Sequence, residues 1–128
     1  MYGTANAYNA YKNNSINYAS KEQLLLMLLD GGVKFSKIGR QAILDKDIPK
    51  AHEYLTRAQD IFAELMISLD TSAGSWAEQL FSVYDFVKDR LGYANFKKDI
   101  NVMNEIIPII EEIRDVWNEA YRISKGSK

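Results

Sequence analysis

The sequence predicts an all-α protein, an antiparallel up-down four-helix bundle preceded by a mobile N-terminal arm. Three observations carry this. Apolar residues recur in steps of three and four along four separate stretches. The breaks between those stretches are short and polar, which favours antiparallel neighbours. No segment alternates apolar and polar residues with the period of a strand. The expected organisation is an arm over residues 1–19, a bundle over 20–124 and a frayed tail over 125–128.

The arm differs in composition from everything after it. Residues 1–19 hold five asparagines, four tyrosines and one charged residue, Lys12, with almost no aliphatic content. Without a helical or strand period it reads as a mobile or loosely docked segment. Its tyrosines each offer a large apolar ring with a polar tip, suited to docking on a groove at low entropic cost.

The first helix opens at Ser20, where Ser20 and Gln23 have the spacing of a capping box. It carries two adjacent apolar stripes. Leu24, Leu28, Gly31, Phe35, Ile38 and Ala42 form one, which reads as the bundle seam. Leu25, Leu29, Gly32, Ser36, Gly39 and Ile43 form the other, and its small residues suit a shallow groove into which another backbone can settle.

Asp47 caps the second helix and Pro49 stands in its first turn, where a missing amide donor costs nothing. Ala51, Leu55, Ala58, Phe62, Leu65 and Leu69 make its seam. A Ser/Thr/Gly-rich turn over residues 70–75 follows, with Ser75 the expected cap. Trp76, Leu80, Val83, Val87, Leu91 and Ala94 are the expected inward face of the third helix, and Phe81, Tyr84 and Phe86 widen it. After a break over residues 95–99 closed by Asp99, the last helix repeats the double stripe. Its first line runs from Val102 through Ile106, Ile109, Ile113, Val116 and Ala120 to Ile123. Met103, Ile107, Ile110, Trp117 and Tyr121 form the neighbouring line. Pro108 should bend this helix by removing one backbone bond to Asn104.

Composition narrows the function. Of 128 residues, 47% are hydrophobic and 26% charged, the proportions of a folded chain. A net charge of -1 argues against nucleic-acid binding, which needs a basic face to displace counterions. With no cysteine there is no disulfide framework, thiolate metal site or thiol nucleophile, and a reducing compartment fits. The longest apolar run, residues 24–29, is far too short to cross a membrane, and no secretion signal opens the chain, so a cytoplasmic location is expected.

Catalytic pieces are scarce. His52 is the only histidine and lies in a charged stretch, as a solvated residue would. One histidine cannot supply a di-iron Glu-x-x-His pair or a zinc-protease helix. Glu111, Asp115 and Glu119 fall a turn apart beside Arg114, which a solvated helix face explains. Gly31-Gly32 lacks the Gly-Lys-Ser/Thr that follows in a phosphate loop. No cofactor, metal or enzymatic activity is expected. What remains is more apolar face on helices one and four than a bundle needs, with a groove for an amphipathic partner helix as the specific reading.

Several local patterns, in order, resemble the flagellin-export chaperone family, FliS. They are residues 8–15 (YNAYKNNS), Ala19-Ser20 followed by Leu24-Leu25-Leu26-Met27-Leu28 and Asp30-Gly31, then Tyr84-Asp85, Arg90-Leu91, Ala94-Asn95 and Asp99, and finally Arg114-Asp115 with Trp117. Lys21, Leu29 and Gly32 depart from the family pattern of proline, tyrosine and alanine. The resemblance implies a non-enzymatic cytoplasmic chaperone that binds the disordered C-terminal region of flagellin, prevents premature polymerisation and assists delivery to the flagellar type III export gate. It also implies that Tyr8 and Tyr11 dock near the first helix when no client is bound. Leu25, Leu29, Gly32, Ser36 and Ile43 are the expected client-facing positions. Two other readings stand beside it: a regulatory or scaffold bundle that binds a different amphipathic helix, and a homo-oligomer, such as a homodimer, whose spare stripes bury against a second copy.

Overall fold

The computed structural model describes residues 20–126. Four helices follow one another, α1 (Lys21–Leu44), α2 (Ile48–Ser68), α3 (Ser75–Lys97) and α4 (Ile100–Gly126), with one turn of 3-10 helix, Thr71–Ala73, before α3. Each helix packs on its neighbours in the chain and α1 also packs on α4, while the diagonal pairs bring no Cα atoms within 8 Å. This is the square of an up-down bundle.

The ends of the helices follow local chemistry. Ser20 Oγ accepts from the Gln23 amide at 3.2 Å, and the Ser20 amide donates to Gln23 Oε1 at 2.9 Å, completing the capping box. Asp47 accepts from the Lys50 amide at 3.2 Å and caps α2. At α3 the cap is Gly74 and Ser75 is already helical. Gly74 has φ 149°, a conformation glycine reaches without a Cβ penalty, and Asp70 instead caps the 3-10 turn. Asp99 accepts from the Asn101 and Val102 amides and starts α4, which runs unbroken through Pro108 to Gly126.

The α3–α4 corner is tied by a polar knot. Asn95 is buried, and its amide nitrogen donates to Thr56 Oγ1 and Gln59 Oε1 of α2 at 3.3 and 3.4 Å. Lys98 is left-handed (φ 52°) and its ammonium donates to Asn95 Oδ1 at 2.7 Å. His52 is exposed, as expected, with Nδ1 3.3 Å from the same oxygen. Because His52, Thr56 and Gln59 lie on α2 while Asn95 and Lys98 form the corner, the knot sets how the corner folds back on α2.

The core is one cluster built on Leu29, Leu55, Phe62, Tyr84, Leu91 and Ile106, with the other inward positions filling between them. The seam of α2 is as the periodicity predicts. The inward face of α3 is not. Trp76, Val83 and Phe86 are 52%, 37% and 45% exposed; Ala77 and Asn95 are buried instead, and Tyr84 is buried as expected. The line from Val87 through Leu91 to Ala94 continues N-terminally through Tyr84 and Ala77 in steps of three and seven, which turns Trp76 and Val83 outward.

Candidate functional site

Two helix pairs matter for any docking surface, and the Gly/Ser stripe of α1 lies in one of them. The expected client-facing line is corrected here: Leu29, Gly32 and Ser36 are buried within the bundle. A Cβ on Gly32 would stand 3.2 Å from Phe62 Cε2. One on Gly39 would stand 2.6 Å from Leu55 Cδ2 and 3.5 Å from the Leu55 backbone nitrogen. The small residues admit another backbone, as their size suggests, and that backbone is the protein's own α2. The stripe assigned to the seam is the more exposed of the two, since Leu24, Phe35 and Ile38 are only half-buried.

Leu25 and Ile43 are half-buried at opposite ends of α1, about 27 Å apart at a rise of roughly 1.5 Å per residue. They do not share a site. Tyr8 and Tyr11 lie outside the described residues.

Leu25 does line an opening. At the end of the bundle where α1 begins, Leu24, Leu25 and Leu28 face Leu65 of α2 and Leu69 just past its end across a cleft of about 410 Å³, floored by Tyr84 and Trp117. Trp117 Nε1 donates to the Tyr84 hydroxyl at 3.2 Å, and Tyr84 stacks edge-on against Phe62 with centroids 6.0 Å apart. Burial pushes the Tyr84 hydroxyl up to about 12, against the opposing pull of the Trp117 donor. The floor is therefore neutral at any physiological pH. Lys21, Glu22, Glu64 and Asp70 rim the mouth. Hydrogen bonds from the Ser72 hydroxyl and amide hold the Asp70 carboxyl below its ordinary range.

Trp117 also lines a second opening, between α3 and α4. Trp76, Leu80 and Val83 form one wall of this groove of about 490 Å³, and Ile109, Ile113 and Val116 form the other. Each opening holds a few side chains and neither holds a whole helix, so both are places for anchors from a segment lying across the surface. Trp117 lines both, so the two openings, with Leu25 in one and Trp76 in the other, lie against one indole and form an apolar track.

Among the described residues no three His, Cys, Asp or Glu side chains come close enough to hold a metal. Among the described residues no helix is long and apolar enough to cross a membrane. The fold and the track define a class, a helical bundle that leaves an apolar surface unfilled.

Relatives narrow the class. The family described as Flagellar protein FliS matches residues 4–124. A flagellar secretion chaperone FliS of Bacillus subtilis (strain 168) is 35% identical over 96% of this chain and 92% of its own. Its counterpart in Vibrio cholerae is 31% identical over 93% of this chain and 89% of its own. A solved crystal structure of a bacterial flagellar chaperone shares the fold with a TM-score of 0.74, covering 92% of this chain and 97% of that one at 15% identity. The chain belongs to the FliS family, and with it to the flagellar secretion chaperones rather than to enzymes.

The residues missed from sequence had a signal. On α4 the apolar stripe continues through Val116, Ala120 and Ile123, all exposed, although Ile113 is the last buried position on it. A stripe that outruns its partners marks open surface.

Proposed function

We propose that this chain is a cytoplasmic chaperone for flagellin, which takes the disordered C-terminal segment of the subunit along the track from Leu25 through Trp117 to Trp76. The carrying observation is that track, two apolar openings that share Trp117, on a bundle of a family of flagellar secretion chaperones. A segment that folds as it binds is ordered at the moment of docking, so its affinity comes from a few large anchors. Covering the apolar positions by which flagellin self-associates would delay polymerisation, and the loaded bundle would present its client to the flagellar export gate.

In the client-free protein we assign Tyr8 and Tyr11 to the cleft beside Leu24 and Leu25. Lys21 and Glu22, at the start of α1, line that cleft, and the arm precedes them in the sequence. Removing residues 1–18 should then change flagellin-peptide affinity, and an unchanged value would take the arm out of the mechanism.

The test of the main reading is calorimetric titration with a flagellin C-terminal peptide. Trp76→Ser and Val83→Ser should each weaken binding about ten-fold while leaving the helical signal and melting curve unchanged. Affinity equal to that of the unaltered chain would remove the track as the client surface.

A further inference from the structure

The floor of the α1–α2 cleft carries a hydroxyl whose own hydrogen has no acceptor among the described residues. The Tyr84 hydroxyl accepts from Trp117 Nε1 at 3.2 Å, and that is the only hydrogen bond it makes among them. A phenol that accepts still has a hydrogen to give. Burial keeps the group protonated across the physiological range, so that hydrogen stays in place. The walls beside it are leucine, Leu24, Leu25 and Leu28 across from Leu65, and the Ser68 hydroxyl donates to the Leu65 carbonyl at 3.2 Å. At the mouth, Lys21 stands with three carboxylates, Glu22, Glu64 and Asp70.

We infer that the Tyr84 hydroxyl is a specificity-determining donor, and that the cleft takes the carbonyl-tipped side chain of an asparagine or glutamine from the segment that docks there. The inference rests on the reading of this cleft as part of the client track. The occupant follows from the donor and the rim together. A segment that seals the cleft shuts water away from the Tyr84 hydrogen, so it supplies the acceptor itself or leaves a desolvated donor behind. A leucine or phenylalanine tip fills the volume but brings no acceptor. A carboxylate brings one, yet it loses its hydration between leucine walls and meets three acids at the rim against one lysine. A neutral amide avoids both penalties. Its carbonyl accepts from Tyr84, and its amino group is left to face the carboxylates at the mouth.

The test is NMR titration of the full chain with two planar isosteres, benzamide and α-methylstyrene, read at the Trp117 indole N–H and at Leu24, Leu25 and Leu28. Tyr84→Phe should lower the ratio of benzamide to α-methylstyrene affinity about five-fold. Trp117→Phe, which keeps the Tyr84 hydroxyl, should weaken both probes and leave their ratio as it is. The ratio cancels general loss of packing and any competition from residues 1–19, since both act on the two probes alike. A ratio unmoved by Tyr84→Phe overturns the proposal, and so does failure of both probes to shift these resonances. A greater loss for p-cresol than for benzamide in Tyr84→Phe would give the cleft to a tyrosine and overturn it as well. In a flagellin C-terminal peptide, asparagines and glutamines are then replaced one at a time by leucine and methionine. One position should show a several-fold loss that disappears in Tyr84→Phe; a peptide that binds without such a position contradicts the proposal. A peptide that does not bind at all contradicts the client reading, while the probe pair still decides the donor.

Discussion

The α1–α2 seam and the α3–α4 face carry comparable stretches of apolar and small residues, yet one is closed and the other open. In the seam, glycine and serine on α1 let α2 approach until Leu55 and Phe62 fill the space a side chain would take. On the α3–α4 face the large residues Trp76, Val83 and Val116 have no facing layer and stand half in water. Small residues bring two helices of one molecule together, and large ones that find no partner inside it become surface for something else.

The comparison is broken most strongly by emptying the closed side. Phe62→Ala should cost about 3–5 kcal/mol in denaturant unfolding, since its ring is fully buried. Trp76→Ala, the removal of a larger side chain from the open side, should cost under about 1 kcal/mol. If the two costs are similar, the contrast between the regions is wrong.

Tyr84 gives a pH version, because it floors the open cleft but belongs to the core. Its hydroxyl titrates near 12 in the folded chain against 10 in the unfolded one. Stability is therefore full below pH 10 and falls as pH rises, since the unfolded state releases the proton first. The loss should reach about 2 kcal/mol at pH 12. Stability curves against pH should show this fall, with a smaller one in Tyr84→Phe.

Overfilling the seam comes next. Gly39→Leu should destabilise by about 1–3 kcal/mol, because even a Cβ there would stand 2.8 Å from Leu55 Cγ. Any loss of peptide binding should track the unfolded fraction. The smallest effect is at Ser36, whose buried Oγ has no hydrogen-bond partner among the described residues. Ser36→Ala keeps the seam's shape and removes a desolvated hydroxyl, so thermal unfolding should show unchanged or slightly raised stability, by about 1 kcal/mol at most.

Much of the fold was legible in the sequence. The Ser20 capping box, the Asp47 cap and the line from Ala51 to Leu65 all follow from local rules that tertiary contacts do not override. The site was less legible, for a geometric reason. Periodicity finds two stripes on α1 but says nothing of which one α2 covers, and Gly32 fits either an empty groove or a close crossing. The α3 face was misread by one residue: Trp76 looks like core by type, and the burial of Ala77 and Tyr84 depends on how α3 meets α2 and α4. Catalytic chemistry, by contrast, could be set aside from sequence, because a lone histidine and the absence of cysteine leave few constellations to build.

A client that uses the open face leaves the seam shut. Hydrogen–deuterium exchange of the full chain with and without a flagellin C-terminal peptide reads both regions at once. The predicted result is slowed exchange over residues 76–84 and 113–120 on adding peptide, with residues 32–39 unchanged. Peptide-dependent change centred on residues 32–39, with residues 76–84 unaffected, would contradict it.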